Sequence, residues 1–177
     1  MYAPAAIHLA SGMAKHLLEG LHHPPNLLSM TAFPILIFLP LHYATHRLYP
    51  SISEPPILSL GPRELDYEYV KHGLDKWPIH NVIIYVGLTC AVVAHGVEGT
   101  ALMLRVWVTS SGKRRWDWKK FGIWMAISGS VVVGLCTIWN EPALAPRQLS
   151  KRIDAAWGHA QGLFNPVCDH ECAWPSK

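Results

Sequence analysis

A run of 19 residues without a single charge, FGIWMAISGSVVVGLCTIW at 121–139, constrains the fold of this chain more than any other feature. A helix needs about 20 predominantly apolar residues to cross the hydrocarbon core of a bilayer. Soluble domains carry about 25% charged residues, whereas this chain of 177 residues carries 15% and is 50% hydrophobic. The sequence therefore predicts an all-α protein that folds as a polytopic bundle of membrane helices.

Three further apolar stretches extend this prediction to about four transmembrane helices within residues 1–140. They cover roughly residues 3–21, 28–48 and 79–107. The first is the weakest, because it contains two His, one Lys and one Glu. The second contains two prolines, which membrane helices tolerate when neighbouring groups satisfy the freed carbonyls. We predict that residues 141–177 form a polar C-terminal tail, partly helical at about 148–161 or disordered.

A polar stretch, ELDYEYVKHGLDKWPIHN at 64–81, separates the second and third predicted spans. Leu65, Tyr69 and Leu74 fall on one side of a helical turn pattern, and the charged residues lie largely elsewhere. This pattern predicts a short amphipathic segment on the membrane surface. An active-site lid is the weaker interpretation, because no nucleophile–base pair or carboxylate dyad accompanies the stretch.

The charges of the connecting segments predict an orientation in the membrane. Residues 108–120, VTSSGKRRWDWKK, hold five basic residues, one acid and two Trp. The positive-inside rule places such a segment on the cytosolic side, or on the matrix side of an inner membrane. Residues 49–78 hold five acids against three Lys or Arg and should face the opposite side. The net charge of +3 does not suggest nucleic-acid binding.

Histidines inside the predicted spans allow two interpretations. His8–Gly12 and His95–Gly99 are each four residues apart, and such pairs share one helix face. An imidazole beside a glycine suits haem b, because the imidazole ligates the iron and the glycine lets the ring approach. The candidate ligands are then His8, His42 and His95. In the other interpretation these residues face the bundle interior, hydrogen-bonded to polar groups and easing helix packing.

The stretch CDHEC, between Cys168 and Cys172, is the only cysteine-rich motif. A zinc site usually needs a fourth ligand and a supporting fold. We therefore predict reduced thiols in an ordinary tail and no metal site.

The motifs PLHYATHRLYP, ELDYEYVKHGL and HGVEG resemble the transmembrane domain of the fungal mitochondrial adapter protein MCP-one over roughly residues 5–140. The shared pattern is a His-x-x-Ser-Gly helix, a helix ending in His-Arg-Leu-x-Pro, and a Leu-Asp-Tyr loop followed by His-Gly. The residues that carry it are Ser11, Gly12, His46, Arg47, Asp66, Tyr67, His72, Gly73 and Gly99. The His and Ser-Gly pattern more distantly resembles the haem-binding membrane anchors of succinate dehydrogenase and fumarate reductase.

The resemblance implies a multi-pass protein of the mitochondrial outer membrane that has no catalytic activity and no cofactor. Its implied partners are membrane lipids and a bridge-like lipid-transfer protein of the vacuolar protein sorting type. The family recruits that protein and supports lipid homeostasis and vacuole–mitochondrion contacts. Members carry a partner-docking Pro-x-Pro peptide and a further helix before the matched part. This chain starts almost at His8, and we expect it to be a fragment, a truncated gene model, or a paralogue that keeps only the membrane part.

Two alternative functions stay open at this point. One is a haem b-binding membrane anchor of the succinate dehydrogenase cytochrome b type, acting in electron transfer. The other is a scramblase-like bundle that moves lipids.

Overall fold

The computed structural model of the chain describes residues 3–19, 26–108, 118–142 and 144–162. This part is helical throughout apart from its connections, and it contains no strand. A π-helical turn, Ala44–Leu48, and a 3₁₀ turn, Tyr49–Ser51, continue the second α-helix. The α-helices within the described ranges are α1 Ala3–Glu19, α2 Leu27–Tyr43, α3 Tyr67–Lys76, α4 Pro78–Val108, α5 Trp118–Asn140 and α6 Arg147–Gly162. The all-α prediction is confirmed.

Three of the described helices are long and apolar enough to cross a membrane. They are Leu27–Ser51, Pro78–Leu104 and Trp118–Asn140. Large apolar side chains on them face outward, including Phe33, Ile37 and Val133. Because water would strongly disfavour so much exposed apolar surface, these faces contact lipid. The membrane bundle is thus confirmed. The predicted first span is α1, whose 17 residues are fewer than the roughly 20 that a full crossing needs.

The α2 helix contains two internal prolines, Pro34 and Pro40, and polar side chains satisfy backbone groups near both of its ends. Asn26 caps its start by accepting a hydrogen bond from the Ser29 amide at 2.8 Å. Near its end, the Thr45 hydroxyl donates to the carbonyls of Leu41 and His42, at 3.1 and 3.0 Å. The π-helical turn begins four residues after Pro40. Such turns are rare and occur frequently at functional sites.

The spans pack as a row, because α4 contacts both α2 and α5. Gly87 of α4 lies against the Phe38 ring, where an added Cβ would approach a ring carbon to 2.8 Å. On the other side of α4, the Trp124 indole donates to the Cys90 carbonyl at 3.0 Å. Small residues therefore allow close helix approach here, as is typical of membrane bundles.

A compact structure, which we call the cap, covers one end of the row. It consists of residues 49–77 and α6. Because α2 ends, α4 begins and α5 ends at this side, α4 ends and α5 begins at the opposite end. The core of the cap is made of Ile57, Leu60, Tyr69, Ile153, Ala156, Trp157 and Ala160.

The α3 helix is the predicted amphipathic segment. Asp66 caps its start by accepting from the Glu68 amide at 2.9 Å. Tyr69 and Leu74 are 1% and 0% exposed. The structure differs from the expected position in one respect: this apolar side is covered by protein and not by lipid. The reason is α6, whose apolar side chains pack onto α3.

The α6 helix covers the residues where the sequence predicts a short helix in the tail. Its Ile153 and Trp157 are almost completely buried in the cap. The division of the chain at residue 140 stays a prediction. Residues 163–177, with the CDHEC stretch, and most of the basic segment lie outside the described residues.

Candidate functional site

Five side chains meet where α2 leaves the bundle and enters the cap, and we call them the imidazole–aromatic cluster. They are His42, His46, Tyr69, Tyr85 and Trp157. The two imidazoles lie one turn apart with ring centroids 4.4 Å from each other. His46 Nε2 lies 2.9 Å from the Tyr85 hydroxyl. The His46 ring also contacts Tyr69 and Trp157, at centroid distances of 5.5 and 6.0 Å.

Tyr69 connects the cluster to the π-helical turn. Its hydroxyl donates to the Thr45 carbonyl at 2.6 Å, and its ring stacks on Trp157 with centroids 5.3 Å apart. Burial raises the pKa of the Tyr69 phenol, because a phenolate is costly away from water. Tyr69 therefore remains a neutral hydrogen-bond donor that stabilises the irregular end of α2.

A cavity of about 400 Å³ lies beside the cluster, between the end of α2 and the loop that precedes α3. Arg47 supplies a full positive charge, and no carboxylate lines the cavity. The lining residues are Leu39, His42, Tyr43, His46, Arg47, Pro62 and Leu65. The cavity is thus apolar towards the span and basic towards the cap.

The His-Gly motif of α3 forms the contact with α6. His72 Nε2 lies 2.6 Å from Asp154 Oδ1, and the Lys76 ammonium lies 2.7 Å from the same oxygen. Gly73 leaves no room for a side chain, because an added Cβ would lie 2.6 Å from a ring carbon of Trp157. Its carbonyl accepts a hydrogen bond from Asn81 at 2.8 Å. The motif therefore has a structural role in this protein.

Arg152 of α6 holds the loop before α3. Its guanidinium donates to the carbonyls of Ile57 and Leu58 at 2.8 and 3.3 Å, and forms a two-point ion pair with Glu64. The Gly61 amide also donates to Glu64, at 2.7 Å. This backbone hydrogen bond, with a smaller effect of Arg152, lowers the pKa of the Glu64 carboxyl. The loop is thereby fixed over the cavity.

The remaining motif residues have local roles or lie exposed. Asp66 caps α3 as described, and Tyr67 is 46% exposed. The Ser11 hydroxyl donates to the His8 carbonyl within α1, at 2.9 Å. No atom outside α1 lies within 4 Å of an added Cβ at Gly12, whereas one at Gly99 would meet Leu28 at 3.8 Å. Neither glycine is required by close packing against another helix.

The proposed haem ligands separate into two places. His8 and His95 lie together, with ring centroids 6.0 Å apart. His95 Nδ1 lies 3.1 Å from the Leu28 carbonyl and 3.3 Å from the Thr31 hydroxyl. His42 lies near the other end of α2. It is 14 residues from Leu28, which is about 21 Å along the helix at 1.5 Å per residue. His42 therefore cannot share a ligand with the other two.

The end of the bundle that holds His8 and His95 also contains an ion pair between two spans. Glu98 of α4 lies 3.4 Å from the Lys120 ammonium of α5. Both side chains are mostly buried, at 20% exposure each. Among the residues that the structure describes, no group of three His, Cys, Asp or Glu could hold a metal ion.

Sequence reasoning missed four residues of these sites: Tyr85, Arg152, Asp154 and Trp157. Three of them belong to α6, in a segment whose polar composition predicts a tail. Their only signal was an amphipathic spacing of Ile153, Ala156, Trp157 and Ala160 at helical intervals. Their partners are distant in sequence, so no local pattern could have identified the contacts.

The arrangement defines a multi-pass helical membrane protein, with three long spans in the part of the chain that the structure describes and a folded cap on one side. Residues 37–154 match the family described as MDM10-complementing protein 1, transmembrane domain. This match covers more than half of the chain, and the chain belongs to that family. The family resemblance expected from the motifs is thus confirmed, and it identifies a mitochondrial membrane protein. The match begins in α2 and ends at Asp154, so it includes the start of α6.

No curated protein matches the chain. No solved structure matches it either.

Proposed function

We propose that this protein is a non-catalytic adapter of the mitochondrial outer membrane that supports lipid homeostasis and vacuole–mitochondrion contacts. It would do so by recruiting a bridge-like lipid-transfer protein of the vacuolar protein sorting type. The observation that carries the proposal is the family match over residues 37–154. Lipids would be its other partners, since the outward faces of α2, α4 and α5 are apolar.

The charges of the cap support a scaffold more than a reaction centre. Asp154 is held by His72 and Lys76, and Glu64 by Arg152. Lys71 pairs with Asp75 at 3.1 Å and donates to the Trp139 carbonyl at the end of α5, at 3.3 Å. Each of these groups joins one element to another or stabilises a helix end.

The orientation predicted from charge locates the docking side. If residues 108–120 face the cytosol, the cap lies on the other side of the membrane. A cytosolic lipid-transfer protein would then contact the bundle at the end that carries the basic segment. Basic segments with interleaved Trp bind the anionic membrane surface, which would keep a docked partner close to lipid.

Recruitment is tested by expressing the chain in cells that carry a fluorescent lipid-transfer protein of this class. We expect the partner to accumulate at mitochondria, compared with an unrelated multi-pass outer-membrane protein at equal expression. The double variant R114Q/R115Q keeps three basic residues of the segment, and with them the orientation, and should lower the accumulation. Arg147→Gln, in the cap, is the matched control. A partner that stays dispersed with the wild-type chain would show that residues 1–177 alone do not recruit it, and would refute the adapter role for this part of the protein.

A second candidate function, haem b binding, is favoured by one observation. His8 and His95 are two imidazoles from different helices with their rings together, which is a common ligand set for haem b. His95 Nδ1 already has a backbone partner, which leaves Nε2 as the ligating nitrogen. Bound haem would supply electron transfer, and His8 and His95 would hold it.

An absorption spectrum of the purified protein decides this second candidate. We expect a Soret band that is lost in His95→Ala and kept in His42→Ala, since His42 lies near the other end of α2. A colourless, correctly folded wild-type protein would rule haem out.

A further inference from the structure

The cavity beside the imidazole–aromatic cluster is not used by the proposed functions. Its volume of about 400 Å³ lies within the range of about 300–1,000 Å³ typical of small-molecule sites. Its wall is formed by one side of the end of α2 and by the loop that contains Pro62 and Leu65. It lies in the last part of the span Leu27–Ser51, where the apolar run gives way to His42, His46 and Arg47, and this change in polarity places it near the level of the bilayer headgroups.

One side of this cavity continues into the lipid-facing surface of α2. Leu39 and Tyr43 line it and are 51% and 52% exposed. They lie one turn apart on a helix whose exposed residues are otherwise apolar. An acyl chain can therefore lie along α2 while its headgroup occupies the cavity.

The other side of the cavity offers hydrogen-bond donors. Arg47 has no hydrogen-bond or ion-pair partner within the described part of the chain, and its guanidinium has the donor geometry that suits phosphate. His42 Nδ1 is buried without a partner. Because an unpaired buried N–H is rarer than an unpaired acceptor, the neutral ring should carry its proton on Nε2. His42 then adds a second donor.

The acids nearest in sequence are already engaged. Glu64 binds Arg152 and the Gly61 amide, and Asp66 accepts from the Glu68 amide. No carboxylate lines the cavity to pair with a headgroup amine. The site therefore favours a phosphate on a headgroup that carries no cation.

We propose that this cavity binds the phosphate of an anionic phospholipid without an amine, such as phosphatidic acid, with one acyl chain along Leu39 and Tyr43. Arg47 and His42 would contact the phosphate oxygens. The inference needs only the membrane position of α2 and does not depend on partner recruitment. Loss of recruitment and loss of lipid binding are thus separate results.

The test is native mass spectrometry of the purified full chain, equilibrated in mixed micelles with equal amounts of phosphatidic acid and phosphatidylcholine. We expect wild type to retain phosphatidic acid preferentially, and R47Q to retain about tenfold less, because a charge-assisted hydrogen-bond pair is lost. R147Q removes an exposed arginine of the same cap and should behave as wild type. H42F keeps the ring and removes the donor, and should lower retention several-fold.

Three results would overturn the proposal. The first is equal retention of phosphatidic acid by wild type and R47Q. The second is equal retention of phosphatidylcholine by wild type, which would remove the headgroup preference. The third is displacement of the lipid by an equal concentration of glycerol 3-phosphate, which would mean a site for soluble phosphate. If R47Q shows no thermal unfolding transition, it is not folded and H42F takes its place. Equal retention of phosphatidic acid by wild type and H42F would then overturn the proposal.

Discussion

At the residue scale, one glycine allows the cap to close. Gly73 lies under the Trp157 ring, where an added Cβ would approach ring carbons to 2.6 and 2.8 Å. Trp157 is 2% exposed, so its ring can shift only at the cost of displacing the side chains packed around it. The family motif residue Gly73 is therefore explained by helix packing, and not by approach to a ligand.

We predict that Gly73→Ala destabilises the protein by about 1–3 kcal/mol, the usual cost of overpacking a filled core. Gly158→Ala is the matched control, because it lies on α6 with nothing within 4 Å of its added Cβ. That change should be neutral or stabilise by about 0.5–1 kcal/mol, because alanine favours the helix. Thermal unfolding in detergent, followed by circular dichroism, measures both. Equal effects would contradict the proposed packing.

A second residue-scale prediction concerns acid stability. The pKa of Glu64 is lowered in the folded protein, first by the Gly61 amide and then by Arg152. The ionised carboxylate therefore stabilises the fold above the unfolded pKa, at about 4.3. This stabilisation is lost as pH falls through the lower, folded pKa.

Below about pH 4.3, the thermal unfolding midpoint of wild type should decrease more steeply with falling pH than the midpoint of Glu64→Gln. Glu54→Gln, an exposed change in the same loop, should retain the wild-type slope. Midpoints measured between about pH 3 and pH 7 give the comparison. Parallel curves for wild type and Glu64→Gln would show that the ion pair contributes no pH-dependent stability.

At the element scale, the sequence predicts the helices better than their contacts. The apolar stretches that form α2, α4 and α5 could be recognised as spans, because bilayer thickness sets the length that a span needs. The α3 helix could be recognised from the periodicity of Leu65, Tyr69 and Leu74. The contact between α3 and α6, which buries α3, could not be predicted from sequence, because two spans separate the two helices along the chain. The π-helical turn after Pro40 also has no reliable local signal.

Trp157 should contribute most of the apolar packing by which α6 holds the cap together, beside the polar contacts of Arg152 and Asp154. Trp157 contacts Tyr69, His46 and Trp77, so Trp157→Ala would leave a large void. We predict a loss of about 3–5 kcal/mol, as for other buried aromatic truncations. Trp139→Ala, at a site that is 44% exposed, should cost much less.

Limited proteolysis of membranes detects this local effect. In Trp157→Ala the loop at 52–66 should be cleaved faster, because its contacts with α6 are weakened. The three spans should stay in the membrane fraction, since their apolar faces do not depend on α6. Release of the whole chain from the membrane would show that cap and spans fold as one inseparable unit.

At the scale of the whole molecule, connectivity determines which segments share a side of the membrane. The loop at 49–66 follows α2, and α6 follows α5, so both belong to the cap side. The end of α4 and the start of α5 lie at the other side. The charges agree with this division, because the segment 108–120 is strongly basic and the loop side is acidic.

Single cysteines in a chain whose four native cysteines are replaced by serine test this topology. Ser53→Cys and Gln148→Cys lie on exposed positions of the cap, and Ser111→Cys lies in the basic segment. With intact mitochondria, a membrane-impermeant maleimide should label Ser111→Cys if that segment faces the cytosol. The two cap cysteines should react only after the membrane is permeabilised.

Both cap positions must behave alike, because α2 and α5 end on the same side. Different accessibility of Ser53→Cys and Gln148→Cys would contradict the three-span arrangement itself, whichever way the protein is oriented.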